Sequence, residues 1–147
     1  MKIAVIGAGC SGLVTLKYLL DVFPADDIFC FEKSHSIRGC WGNQRPDFVS
    51  TSTKYTTQFS CFRKWEPVVT PKQNYEEFYR GSEFGDYLEE FADHFQLRHA
   101  SGWALNYAIL NGLRDVGRYA LRKMGVKNCK GSMQFLFARG LPTRKRR

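Results

Sequence analysis

The chain has 147 residues, 44% of them apolar, so it is long enough for one domain with a hydrophobic core. Its formal net charge is +8, but residues 1–98 hold 11 basic and 13 acidic side chains, whereas residues 99–147 hold 11 basic and one acidic side chain. No run of about 18 apolar residues occurs, so a membrane-spanning helix is not expected. We therefore expect a slightly acidic globular part, residues 1–98, followed by a basic tail, residues 99–147, of different character.

The five cysteines give no sign of a disulfide framework or a metal site. Their number is odd, no CxxC motif occurs, and no histidine and cysteine cluster has metal-binding spacing. The glycine-rich start does not resemble a secretion signal, so reduced thiols and a cytoplasmic location are expected.

The first 32 residues read as a strand, a helix and a second strand. Residues 2–6 form a short Ile- and Val-rich run, which is typical of a buried parallel strand. Residues 10–22 carry leucines spaced by three and four, which predicts a helix that Pro24 ends. Residues 28–32 (IFCFE) read as a second buried strand. This β-α-β order predicts two parallel, adjacent strands.

The rest of the chain is less regular. Residues 33–80 are polar, aromatic and interrupted by prolines, so we expect an irregular segment of functional importance. A helix is predicted over residues 82–95, with Ser82 as N-cap and an apolar stripe that packs in the core. Residues 99–147 show no alternation of period two, so no strands are expected there.

A glycine motif links the first strand to the first helix. It consists of Gly7, Ala8, Gly9, Cys10, Ser11 and Gly12. In such a motif the first glycine permits the tight turn, the second allows close approach of a pyrophosphate, and the third allows the helix to pack on the strand. The helix N-terminus supplies free N–H groups for phosphates. A thiol pKa tends to fall at such a position, but we interpret Cys10 as a spacer in the loop, because this position tolerates many side chains.

An acidic residue completes this pattern. Glu32 lies twenty residues after Gly12, at the end of the second strand. A carboxylate there accepts hydrogen bonds from ribose hydroxyls and repels a 2′-phosphate, which favours FAD or NAD over NADP at this site. The fold class predicted is α/β, a partial Rossmann-like domain. The alternative is a glycine turn that serves packing alone.

The motifs that follow narrow this prediction. Residues 32–34 (EKS), 37–41 (IRGCW), 50–54 (STSTK), 61–62 (CF) and the helix within residues 75–98 come in order after GAGCSGL. Together they resemble the N-terminal part of the flavin-containing monooxygenases, relatives of the Baeyer–Villiger enzymes. The resemblance covers about residues 2–98.

The resemblance implies FAD bound by the first motif and reduced by NADPH. It also implies a flavin C4a-hydroperoxide that passes one oxygen of O₂ to a nitrogen or sulfur centre, or to a carbonyl, of a small-molecule substrate. By matching positions, Cys40 and Trp41 would lie along the flavin, and Thr51 and Ser52 would match the polar pair that faces flavin and nicotinamide. The family also leaves open membrane association.

Several features depart from the family pattern. Arg38 stands where the family has the first glycine of I-G-G-x-W, and a positive φ would strain an arginine there. Thr51 stands where the family often has asparagine. No second glycine motif for NADPH is present, so we expect a truncated FAD-binding domain with weak or no monooxygenase activity and a tail that is not family sequence.

Other functions stay open at this level. The chain is alternatively a small, non-catalytic dinucleotide-binding module for FAD or NAD. Trp41 is alternatively a core or lid residue, and Thr51 and Ser52 are alternatively turn residues. The polybasic end, which contains Arg139 and residues 144–147, suggests binding to nucleic acid or a membrane surface. A basic tail without interleaved aromatic residues or a nucleic-acid-binding fold motif is, however, more often simply solvated.

Overall fold

The computed structural model describes residues 2–67, 76–99, 104–105, 125 and 134–137. Within these residues a four-stranded parallel sheet and a two-stranded antiparallel sheet are present. No helix in the described ranges is both long and apolar enough to cross a membrane. The predicted α/β class is confirmed.

The predicted β-α-β unit forms the centre of the parallel sheet. It consists of β1 (Ile3–Ile6), α1 (Cys10–Leu20) and β2 (Ile28–Glu32). The two strands are adjacent and parallel, with Ile3 opposite Ile28 and Ile6 opposite Phe31. Helix α1 ends two residues earlier than predicted, and a short 3-10 turn at Ala25–Asp27 leads into β2. Burial on both faces explains why these strands are almost wholly apolar.

Two further strands extend the parallel sheet on either side. β5 (Ala104–Leu105) pairs with β2, and β6 (Gln134–Phe137) pairs with β1, giving the order β5-β2-β1-β6. The sequence did not predict strands within residues 99–147, and that expectation is wrong for these six residues. Alternation was the wrong criterion, because parallel strands in a covered sheet read as short runs without it. Whether residues 99–147 form a separate tail of foreign origin stays a prediction.

The segment between residues 33 and 80 contains regular structure that the sequence did not predict. β3 (Val49–Thr53) and β4 (Phe78–Arg80) pair antiparallel, with an irregularity in the register. The buried Ser50 hydroxyl accepts a hydrogen bond from Tyr79 N (3.0 Å) and donates one to Ser52 O (2.7 Å). A Ser- and Thr-rich strand of this kind lacks the apolar signal by which strands are recognised.

The second helix was predicted well. α2 spans Glu83–His94, with Ser82 as its N-cap residue, although the serine side chain makes no capping hydrogen bond. The predicted apolar stripe is buried for its first four members and half-buried at Phe95, which confirms core packing. Its members are Phe84, Tyr87, Leu88, Phe91 and Phe95.

Candidate functional site

The glycine turn after β1 has the geometry that its sequence predicts. Gly7 has a φ of +96°, a left-handed conformation that favours glycine, and its N–H donates to Phe31 O at 2.7 Å. Gly9 approaches a second glycine: a Cβ built on Gly9 would lie 3.6 Å from Gly39 Cα. Because both residues at this contact are glycines, no side chain lies between the turn and the segment that carries Gly39.

The Glu32 carboxylate lies directly against this turn. The residue is 7% exposed, and its Oε2 accepts a hydrogen bond from Ala8 N at 2.7 Å. Its Oε1 accepts hydrogen bonds from Ser34 N at 2.8 Å and from Ser34 Oγ at 3.1 Å. Two carboxylate oxygens offer about four acceptor positions, so this carboxylate has capacity for a further donor such as a ribose hydroxyl.

The N-terminus of α1 opens directly from the glycine turn. Gly9 is the N-cap residue and provides no side-chain cap, and the first helical hydrogen bond runs from Leu13 N to Gly9 O at 2.9 Å. The N–H groups of the first helical turn, at Cys10, Ser11 and Gly12, precede this bond. Ser11 is exposed and Gly12 is buried. Such a helix end suits a phosphate, because its N–H groups carry a partial positive charge.

The thiol of Cys10 is half-buried at the start of α1. Burial, and secondarily the nearby Cys40 thiol, raise the pKa of Cys10 above its ordinary value. This direction is opposite to the one that a helix N-terminus favours, because burial disfavours the charged thiolate. The thiol stays protonated at neutral pH, which makes Cys10 a poor nucleophile.

Arg38 does not adopt the strained conformation that its position suggested. Its backbone is right-handed helical, with φ −70° and ψ −12°, and Gly39 takes the left-handed conformation instead, with φ +57°. The doubt that the arginine raised is therefore removed: the second of the two family glycine positions is the one that requires glycine. A Cβ on Gly39 would lie 3.4 Å from Gly9 Cα.

Trp41 is part of an aromatic cluster. Its ring lies 4.9 Å from that of Phe84 and 6.1 Å from that of Phe48, both edge to face. Cys40, next to it, is exposed. The ring of Trp41 thus packs on α2.

Thr51 and Ser52 lie on β3 and are both exposed. The Ser52 hydroxyl accepts a hydrogen bond from Thr57 Oγ1 at 2.6 Å, within the same segment of chain. The structure therefore groups residues 7–12 and Glu32 tightly, brings Gly39 and the Cys40 thiol beside them, and places Thr51 and Ser52 on the other, antiparallel sheet.

Sequence reasoning missed three contributors to this site. Ser34 donates to the Glu32 carboxylate, Gly39 contacts Gly9, and Arg38 links the turn to α2. A polar residue two positions after the end of a buried strand, Ser34, was a usable signal for the first. The other two depend on chain segments that meet only after folding.

Comparison with known proteins finds relatives among the monooxygenases. Residues 1–104 match the family model described as flavin-binding monooxygenase-like. A rabbit (Oryctolagus cuniculus) dimethylaniline monooxygenase [N-oxide-forming] 4 is 36% identical over 105 residues, covering 65% of this chain and 18% of the relative. Monooxygenase PC-14 of Penicillium crustosum is 36% identical over 104 residues, covering 67% of this chain and 17% of the relative.

A solved structure shares the fold. An oxidized steroid monooxygenase bound to NADP superposes with a TM-score of 0.52 at 23% identity, covering 67% of this chain and 18% of that chain. The chain thus spans less than a fifth of the length of these relatives.

Proposed function

Since the chain belongs to the flavin-binding monooxygenase-like family, we propose that residues 7–12 and Glu32 hold the adenosine diphosphate part of FAD. The hydrogen bond from Ala8 N to Glu32 Oε2 carries this proposal. It brings the glycine turn and the carboxylate within one hydrogen bond of each other, which supports their reaching the pyrophosphate and the ribose of one dinucleotide. The bare backbone at Gly9 and Gly39 fits the same ligand, because a Cβ on either residue would narrow the cradle.

The remaining residues receive their roles from the family pattern. Cys40 and Trp41 would line the flavin side of the site, with Trp41 held in place by Phe84. Thr51 and Ser52 are exposed on β3, and the Ser52 hydroxyl, which accepts from Thr57, keeps its own proton to donate to a group near flavin and nicotinamide. The roles of Thr51 and Ser52 require that the antiparallel sheet, which contains β3, lies next to the bound cofactor.

The family uses FAD and NADPH, and we propose that the parent activity is oxygenation of a soft nitrogen or sulfur centre in a small molecule. A bound flavin supplies the redox chemistry, with NADPH as reductant and O₂ as oxidant. The residues described here bind and orient the adenosine half of the cofactor.

We further propose that this polypeptide alone has weak or no monooxygenase activity. It spans 18% of the length of the rabbit dimethylaniline monooxygenase and 17% of that of the fungal monooxygenase. Its sequence contains one GxGxxG motif. The alternative is a small dinucleotide-binding module without redox activity. Which cofactor the chain binds, FAD or only NAD, distinguishes this alternative from a monooxygenase segment.

Gly9→Ala tests the proposal with little effect on the fold. At φ −74° and ψ −168°, Gly9 has a backbone conformation open to any residue, and the new methyl group would make only ordinary contact, 3.6 Å from Gly39 Cα. The methyl group would nevertheless occupy the space that a pyrophosphate approaches. We expect the Kd for FAD, measured by calorimetry and flavin fluorescence, to rise at least about tenfold, or about 1.4 kcal/mol.

Val22→Ala, an exposed change just past the other end of α1, is the matched control and should leave the Kd unchanged. The proposal is wrong if the unmodified chain ignores FAD, or if Gly9→Ala binds FAD as tightly as the unmodified chain. Binding of NAD without FAD would favour the non-catalytic module. NADPH oxidation no faster than with free FAD would support the proposed lack of turnover.

A further inference from the structure

The turn that carries Gly39 is connected to α2 by the side chain of Arg38. Arg38 Nη2 lies 2.7 Å from Asp86 Oδ1, and Arg38 Nε lies 3.5 Å from Glu89 Oε1. Asp86 and Glu89 are three residues apart on α2, so they share one face of the helix. The guanidinium group therefore bridges two carboxylates from a single helix face.

The aliphatic part of the Arg38 side chain is also seated on α2. A Cβ built on Gly85 would lie 3.0 Å from Arg38 Cδ, 3.2 Å from Arg38 Cγ and 3.2 Å from Trp41 O. The helix therefore has a gap at Gly85, and the side chain of Arg38 and the backbone of Trp41 fill it. Ion pairs at this exposure contribute little by themselves, so this close seating is what distinguishes Arg38 from a surface arginine.

The far side of the same turn contacts the dinucleotide loop. Gly39 follows Arg38 directly and makes the close approach to Gly9 described above. The N–H of Trp41 donates to Arg38 O at 3.0 Å, which closes the turn into one unit. Movement of Arg38 on α2 would therefore move Gly39 relative to Gly9.

We propose that Arg38 is a positioning residue for the dinucleotide site: by docking on Gly85, Asp86 and Glu89 of α2, it sets the distance of the Gly39 backbone from the phosphate-binding turn. The inference rests on the proposed function for its ligand, but the contact itself exists without ligand. The competing explanation is that Ile37, which is 1% exposed, alone fixes the position of the turn that carries Gly39, and that the contacts of Arg38 with α2 have no effect on it.

Arg38→Gln tests the proposal, because it keeps much of the side-chain stem and removes both ion pairs. Amide hydrogen exchange of the full chain without cofactor should accelerate severalfold in residues 7–13 and 36–42, while exchange in β2 stays unchanged. The Kd for FAD should rise about tenfold, which corresponds to about 1.4 kcal/mol. In the charge-swapped double variant, Arg38→Asp with Asp86→Arg, the ion pair forms again in the opposite sense. The faster exchange and the higher Kd should then be partly reversed, which a general loss of stability would not allow.

Arg45→Gln is the matched control. Arg45 pairs with Asp47 at 3.3 Å in a neighbouring loop, with both side chains mostly exposed, and its replacement should change neither measurement. Gly85→Ala is the second variant: it retains every charge but pushes the turn off the helix, and it should reproduce the acceleration in residues 7–13.

Unchanged exchange in residues 7–13 in both Arg38→Gln and Gly85→Ala would overturn the proposal in favour of anchoring by Ile37. If exchange responds as expected but the unmodified chain binds no FAD, the positioning role stands and the proposed function fails. If FAD binds to Arg38→Gln and Gly85→Ala as tightly as to the unmodified chain, and their exchange is unaltered, the proposed function stands and the positioning role fails.

Discussion

Two regions of this molecule are stabilised in opposite ways. The glycine region, residues 7–12 with Gly39, has few side chains and relies on backbone hydrogen bonds and the Glu32 carboxylate. The aromatic region, where the Phe59 and Phe62 loop packs on α2, is filled by rings whose centroids lie 4.5–5.7 Å apart.

The difference separates stability from binding. A region with bare backbone has donors and space to offer a ligand, whereas a region packed with rings satisfies itself and buries apolar surface. Changes in the aromatic region should therefore lower the free energy of unfolding with little effect on the Kd for FAD. Changes in the glycine region, such as Gly9→Ala, should do the reverse.

The largest expected effect is that of Phe91→Ala. Phe91 is fully buried and contacts the rings of Phe59, Phe62 and Phe95. Its truncation should lower the free energy of unfolding by about 3–5 kcal/mol, because it removes apolar contact and leaves a cavity. Urea denaturation followed by circular dichroism measures the loss.

For Phe91→Ala, the Kd for FAD, measured where the variant is still folded, should change less than about twofold, well below the tenfold that 1.4 kcal/mol represents. A large rise in Kd with an unchanged free energy of unfolding would break the proposed division between the two regions.

A smaller effect is expected for Tyr87→Phe. The Tyr87 hydroxyl accepts a hydrogen bond from Phe59 N at 2.7 Å and donates one to Phe62 O at 2.8 Å, so it joins the loop to α2. Removal of the oxygen leaves both backbone groups without this partner and should cost about 1–3 kcal/mol. The same denaturation series measures it, with Val22→Ala as an exposed control expected to be near zero. Equal stability of Tyr87→Phe and the unmodified chain would mean that ring packing alone holds this loop.

The smallest expected effect is a loss of stability at alkaline pH that comes from β2, the strand that carries Glu32. Burial, and secondarily the charge of Glu32, raise the pKa of Cys30 from 9.0 to about 12. The unfolded chain therefore loses this proton first, so stability is full below pH 9 and falls as the pH rises towards 12. One such group lowers the free energy of unfolding at pH 10 by about 1 kcal/mol relative to pH 8.

Cys30→Ala should flatten this dependence between pH 8 and pH 10, whatever it does to stability at pH 7. Cys10, whose pKa is also raised by burial, should leave a residual slope. An identical pH dependence in Cys30→Ala and the unmodified chain would show that the thiol of Cys30 is not kept protonated by the fold.

Local apolar patterns were sufficient to predict the strands that are buried on both faces and the helices that are buried on one. β1, α1, β2 and α2 were predicted to within about two residues, because apolar spacing directly reflects burial. β3 was missed because its buried member is Ser50, whose hydroxyl is satisfied by Tyr79 N, 29 residues further along the chain. A partner at that distance leaves no trace in a local window.

Within the site, residues adjacent in the chain were predicted better than residues that meet across it. The turn at Gly7 and the acid at Glu32 follow from the motif, since a strand, a turn and a helix in sequence place them at one sheet edge. The protonated thiol of Cys10 did not follow, because its pKa depends on how much solvent the folded neighbours exclude.

The amino-acid sequence by itself determined the β-α-β unit, the glycine turn, its acidic partner and the family, because each depends on residue order over short distances. Only the tertiary structure decided that Gly39 rather than position 38 takes the left-handed conformation, that Arg38 reaches α2, and that strands from residues 104–105 and 134–137 flank the sheet. These features arise where separate segments come into contact, and contact geometry is set by packing of the whole chain.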